Sequence, residues 1–264
     1  MARSERLSDR ILRPLHSAGL ELREAQFAAA KDSRRLSIAR DFVAAKIVNM
    51  AGLMRRREPS ALRSAVRSLT HLARKARHAS HLNELLGLER TATAQYFNAW
   101  PAMISERARG LEFGGRTRRP PQDAINAALS YSYAVLAGEA LAAAVAAGLE
   151  PRLGFLHARR AGRPALALDL MEPFRPLIAD RAVLAGVNTG RFEDQHFQER
   201  EGGVWLTEAG RRLALTLIED RLSAWVTVPG RDAACSYREA IGYAAASLAA
   251  TLTGGTPLML VEQP

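Results

Sequence analysis

A chain of 264 residues with 48% hydrophobic content can bury a sizeable core, which excludes a disordered arm and leaves one or two globular domains. Its formal net charge of +10 rests on 34 Arg against 3 Lys. That balance suits a polyanionic partner, because guanidinium groups contact phosphate in pairs, although base composition alone would also enrich Arg and Ala. One cysteine, Cys235, excludes a disulfide framework and a thiolate metal centre within one chain and fits a cytoplasmic protein.

The opening MARSERLSDR carries charge where a signal peptide needs an apolar core. The most apolar run, around Ala140–Leu149, is too short and alanine-rich to cross a bilayer. Residues 1–24 read as a linker, with Leu12–Arg23 a possible strand remnant. Residues 25–253 read as one helical domain, and residues 254–264 as an irregular tail.

Within 26–57, Leu36, Ala39, Val43, Ile47, Met50 and Met54 recur at helical spacing and predict one or two helices with a single apolar stripe. Arg34, Arg35, Arg40 and Lys46 fall on the other faces. A further helix is predicted over 59–79, with His71, His78 and His81 solvated. Ser80–Trp100 gives the next, capped by Ser80, with Leu82, Leu85, Leu86, Ala92 and Tyr96 as its stripe. Glu89 falls on that stripe. A carboxylate facing burial needs a partner, and both an arginine ion pair and a metal ion meet the need.

Leu111–Pro121 (LEFGGRTRRPP) reads as a basic loop by its glycines and prolines, with Arg116, Arg118 and Arg119 either clamping phosphate or solvated. Asp123 caps a long helix ending at Gly148, and Asn126 holds either a ligand or the loop. Beyond residue 180 the predicted elements are a helix over 181–189, an extended piece at 202–206, a Thr207-capped helix over 208–226 and a last helix over 237–253. The predicted class is mainly α.

The chemistry gathers in Gly154–Asp180, which presents His157, a basic turn with Arg159, Arg160 and Arg163, and then Asp169 and Glu172. Carboxylates three apart share one side of a helix. Pro173 suits a helix that is just beginning. Two readings stand at this point. Asp169 and Glu172 form a capping pair, or they join His157 around a divalent metal that works on phosphate.

Taken in order, GLER, FGGRTRRPPQDAINAALSYSYAVL, GFLH, LALDLMEPFRPLIAD and SYREAIGYAAASLA resemble the CRISPR-associated integrase–endonuclease family, the catalytic subunit of the spacer-acquisition complex. The likeness runs from about Leu22 to about Gly254. It implies a helical catalytic domain in which Glu89, His157 and Asp169 hold Mg²⁺ or Mn²⁺, supported by Glu172. DNA would be positioned by Arg116, Arg118, Arg119, Asn126, Arg159, Arg160 and Arg163. The implied reaction is attack of a spacer's 3′-hydroxyl on a phosphodiester of the CRISPR array. The implied partners are spacer and repeat DNA, a second copy of the chain in a homodimer, and a small ferredoxin-like adaptation protein. The family's usual N-terminal β-rich domain has at most a remnant here, and Arg90 replaces the usual Gly after Glu89. Both departures motivate a second reading, a catalytically silent helical DNA-binding or scaffold protein.

Overall fold

The computed structural model describes residues 17–56, 60–108 and 110–264, and these are mainly helical, as the periodicity predicts. Residues 1–16 of the expected linker, Arg57 at the end of one expected helix and Pro59 at the start of the next lie outside them. The chain runs through α1 (Ser17–Ala29), α2 (Arg34–Arg55), a 3₁₀ turn leading into α3 (Arg63–Arg77), α4 (Leu82–Asn98), α5 (Ala124–Ala146), α6 (Ala165–Met171) and α7 (Arg181–Asn188). A hairpin follows, then α8 (Glu208–Leu222), a two-residue strand pair and α9 (Tyr237–Gly254).

Two helices organise the packing. α2 meets α3, α4 and the turns that follow α6. It is buried almost all round from Ile38 to Met54, so the predicted single stripe is too narrow. α5 meets α6, α7, α8, α9 and the hairpin. By length and composition alone α5 could cross a membrane, yet Ile125, Leu129, Leu136, Ala140 and Ala144 are buried within this domain. Its start is as predicted, with the Asp123 side chain accepting from the Asn126 amide.

Several expectations are corrected. Residues 17–23 are helical where a strand remnant was expected, because Leu22 and Gln26 anchor α1. Gln26 donates to the carbonyls of Glu150 (3.0 Å) and Leu153 (2.8 Å) and accepts from the Glu150 amide. Lys46 is buried, not solvated. Ser80 is not the cap of α4: His81 takes that position, with no side-chain cap. α8 stops at Leu222, and Trp225–Val226 forms β3, paired with β4 (Cys235–Ser236). The extended piece at 202–206 is β2 (Gly203–Leu206), whose partner β1 (Phe197–Arg200) the sequence reading missed. Their turn, Glu201–Gly202, has positive φ at both residues (52° and 72°), the conformation that matches the twist of a tight hairpin.

The tail beyond α9 is irregular but fixed. Asn49 of α2 donates to Val261 O and to Pro173 O, both at 2.8 Å, and accepts from the Gln263 amide at 2.7 Å. A side chain at Gly52 would strike Gln263 O, so glycine lets the tail lie directly on α2. One side chain thus ties the tail to the turn after α6.

Candidate active site

Two prolines shape the central turn. Pro173 and Pro176 lack an amide donor, so the α-pattern of α6 cannot continue through them. The backbone passes into a 3₁₀ turn, Glu172–Phe174, and then a π turn, Pro176–Asp180, where the Asp180 amide reaches back to Arg175 O at 3.0 Å. Such a bulge rotates the side chains that follow it. The helix therefore begins at Ala165, with Pro164 in the cap position, and ends near Pro173. This overturns the capping-pair reading of Asp169 and Glu172.

Asp169 is fully buried and faces the GFLH loop. Its Oδ2 accepts from the amides of Phe155 (2.6 Å) and Leu156 (3.0 Å). Its Oδ1 accepts from the His157 amide (3.0 Å) and lies 2.7 Å from His157 Nδ1. Three amides and an imidazole thus surround one carboxylate. A Cβ on Gly154 would come within 2.7 Å of Asp169 Oδ2 and 2.9 Å of Ala165 C, so glycine is what lets the loop close on α6. Arg35 of α2 braces the loop by donating to Phe155 O at 3.1 Å. With Nδ1 engaged by Asp169, Nε2 is the ring nitrogen left to face Glu172, 3.8 Å from its Oε1.

Glu172 is 3% exposed and Glu89 23%. Between them lies the ammonium of Lys46, itself 2% exposed, bonded to Glu89 Oε1 and 2.8 Å from Glu172 Oε2. Thr93 donates to Glu89 Oε1 at 2.9 Å, and Arg175 lies 3.1 Å from Glu172 Oε1. Burial opposes ionisation of Glu172, but Arg175, Lys46 and His157 outweigh it and hold the carboxyl at about 2. Burial acts the same way on Glu89, and Lys46 outweighs it, leaving that carboxyl below its ordinary value. The side-chain partner of Glu89 is therefore a lysine, not the arginine that one of the two sequence readings offered. Arg90, its neighbour, is exposed and has no part in holding it.

Glu89, His157 and Asp169 do not converge on one gap, because Asp169 is spent on backbone and imidazole. Among the described residues no three His, Cys, Asp or Glu side chains stand close enough to hold a metal as they are. The donor chemistry nevertheless suits a hard cation. Glu172 Oε2 is buried with no aligned hydrogen-bond donor, Nε2 of His157 is free, and a cation, the Lys46 ammonium, already joins Glu89 to Glu172. Of the two carboxylates of α6 and its turn, Glu172 is the one beside Nε2 and Lys46, while Asp169 meets Nδ1 on the other side of the ring.

Beside this centre lies a third buried carboxylate. Asp180 accepts from Tyr96 Oη at 2.8 Å and Tyr133 Oη at 2.6 Å. Arg175 stacks on Tyr133 at 4.8 Å and Arg116 at 5.4 Å, so this ring links the basic loop to Glu172. Asn126 is fully buried. It accepts from Arg116 and the Thr117 amide and donates to Gly115 O and Asp123. It holds the loop and is not placed to touch a ligand. Arg118, Arg119, Arg159 and Arg160 are exposed, while Arg116 and Arg163 are half-buried. The ring of Phe27 carries Arg159 at 5.9 Å. A groove of 690 Å³, between α2 and α3, is rimmed by Arg55, Arg63, Arg67 and Arg74 and shares no residue with the carboxylate cluster.

Sequence reasoning missed Lys46, Arg175 and the tyrosine pair on Asp180. A signal for Lys46 was present: a lysine in the apolar run VAAKIV of an arginine-dominated chain.

The comparisons with known proteins identify the family and the fold. The model of the family described as CRISPR associated protein Cas1 matches residues 1–220. A CRISPR-associated endonuclease Cas1 from Thermus thermophilus is 42% identical over 205 residues, 78% of this chain and 61% of that relative. The chain therefore spans less than two thirds of that protein's length. A solved Cas1 protein from Thermotoga maritima superposes with a TM-score of 0.76 at 30% identity, covering 88% of this chain and 71% of that one. A casposase bound to integration product superposes with a TM-score of 0.81 at 26% identity, covering 92% and 71%. With its family model matched over most of its length and its helical fold shared with these neighbours, the chain belongs to the Cas1 family of CRISPR associated proteins.

Proposed function

We propose that this chain carries the divalent-metal centre of a DNA integrase–endonuclease of CRISPR adaptation, with Glu89, His157 Nε2 and Glu172 as the metal-holding groups. The observation that carries the reading is the pairing of a free imidazole nitrogen with Glu172 at 3.8 Å, beside a cation that already joins Glu172 to Glu89. Mg²⁺ or Mn²⁺ bound there would neutralise charge that builds on a phosphodiester under attack by a 3′-hydroxyl. Asp169 keeps the imidazole in the tautomer whose Nε2 faces the gap. Arg175, held against Glu172 and Tyr133, keeps the carboxylate ionised. Arg118, Arg119, Arg159 and Arg160 are the exposed cations we assign to the DNA backbone. Such contacts set register and read no bases. The casposase neighbour, solved with an integration product, supports strand transfer as the reaction. We assign the chain to the cytoplasm, with spacer and repeat DNA, a second copy of itself and the small ferredoxin-like adaptation protein as partners. The catalytic domain we assign to residues 25–253, although α1 runs unbroken through residue 24.

The test is Mn²⁺-dependent strand transfer on a branched DNA carrying a free 3′-hydroxyl. His157→Ala and Glu172→Gln are each expected to remove turnover while leaving the circular dichroism spectrum unchanged. Asp169→Asn is expected to lower turnover about 10–100-fold, as loss of a group that orients a ligand does. Full activity in Glu172→Gln would overturn the assignment. The competing reading, a silent DNA-binding protein, is favoured by the Lys46 ammonium closing the gap, and it predicts DNA binding with no metal-stimulated turnover in the unaltered chain.

A further inference from the structure

The cation between the two glutamates is part of the chain, and its placement is unusual. Lys46 sits in the middle of the buried helix α2, with Val43, Ala45 and Ile47 buried around it. A lysine there costs desolvation that an apolar residue would avoid. Its neighbours give the compensation: Nζ bonds Glu89 Oε1 and lies 2.8 Å from Glu172 Oε2. The two contacts differ. The one to Glu89 is a hydrogen bond, whereas Glu172 Oε2 receives no aligned donor. Glu172 is also served separately by Arg175 on its other oxygen. Without a cation between them, a buried and a half-buried carboxylate would face each other across the gap.

We propose that Lys46 is a built-in counter-cation, which fills the charge position between Glu89 and Glu172 in the metal-free protein and is displaced when a divalent ion enters. This rests on the metal-centre reading above. An ammonium and a divalent cation held in the same gap between two carboxylates repel each other strongly. Lysine suits exchange better than arginine. Its point charge rides on a flexible four-carbon stem and can withdraw, whereas a guanidinium fork would hold two carboxylates in place. The metal-free site is thereby kept folded and neutralised, at the cost of a higher metal concentration for loading.

The experiment is calorimetric titration of Mn²⁺ into the unaltered chain, Lys46→Met and Lys46→Arg, with thermal unfolding of each measured with and without Mn²⁺. Lys46→Met is expected to bind Mn²⁺ at least tenfold more tightly than the unaltered chain, to melt lower when metal-free, and to gain more in Tm from Mn²⁺. Lys46→Arg is expected to bind more weakly. A folded Lys46→Met that binds Mn²⁺ no more tightly than the unaltered chain overturns the proposal and leaves Lys46 as a permanent brace between α2 and α4. Should Lys46→Met not fold, crystals of the unaltered chain with Mn²⁺ decide. Nζ withdrawn from Glu89 supports displacement, and Nζ still on both carboxylates beside the ion overturns it. No Mn²⁺ bound by the unaltered chain or by folded Lys46→Met overturns the metal-centre reading itself, and the displacement proposal with it.

Discussion

Asp180 shows how far one buried group can depart from its ordinary chemistry. Burial pushes its carboxyl up to about 6, against the hydrogen bonds of Tyr133 and Tyr96, which favour the charged form. The folded state therefore binds a proton between its ordinary value of 3.8 and about 6 that the unfolded chain has released. The stability this group contributes is present below the lower value and is lost as pH rises through the upper one. Glu172 acts in the opposite sense. Its carboxyl is depressed to about 2, so its contribution is present above the ordinary 4.5 and is lost as pH falls towards 2. Asp41, also pushed up to about 6 by burial, adds a slope of the same sign as Asp180 and stays in any Asp180 variant. Urea unfolding from pH 4 to 7 should thus show stability falling with pH in the unaltered chain. Asp180→Asn should remove on the order of 2–3 kcal/mol of that fall. An identical pH profile in the two proteins would mean that water or a cation relieves the buried charge. None of this was legible in the sequence, because the tyrosines that meet Asp180 lie 84 and 47 residues away from it. Asp169 and Glu172 were legible as residues but not as roles. Spacing put them on one side of a helix, and only the loop folded back over Asp169 separates the group that supports the imidazole from the one that faces the gap.

At the level of elements, the basic loop before α5 is held from inside. Asn126 uses both ends of its amide on Arg116, Thr117, Gly115 and Asp123, and the turn remains open to solvent at Arg118 and Arg119. Truncating that amide leaves backbone groups without partners, at about 1–3 kcal/mol for each buried one. Asn126→Ala should therefore speed tryptic cleavage after Arg118 and weaken DNA binding together, while α5 keeps its helical signal. If Asn126 met DNA directly, affinity would fall with no change in the cleavage rate. The loop, the cap at Asp123 and the long helix behind it were all readable from glycine, proline and apolar spacing. The turns after α6 were readable only in part. Pro173 was read as the first turn of a helix, whereas it closes one, and the π turn that carries Arg175 to Glu172 and Tyr133 depends on packing against α2 and α5.

Across the whole molecule, the helical class followed from periodicity because amphipathic spacing is local, whereas the centre did not. It is assembled by α2, α4, the GFLH loop and the turn after α6, which meet only in the packed domain. The charge pattern is the global property that sequence gave most directly, and it yields a quantitative expectation. A chain of net charge +10 that neutralises phosphates releases their counterions, so its DNA affinity should fall linearly on a logarithmic salt scale. Each phosphate contact contributes about 0.9 to the slope on duplex DNA. Replacing Arg118 and Arg119 together by Ala should then flatten the slope by about 2 and weaken binding to all sequences alike. His157→Ala should leave the slope where it was, because the imidazole belongs to the centre and not to the charged surface. Fluorescence anisotropy across a range of KCl concentrations measures both. A double arginine variant with an unaltered slope would remove the loop from the DNA interface and shift attention to Arg159 and Arg160, the exposed cations nearest in sequence to His157.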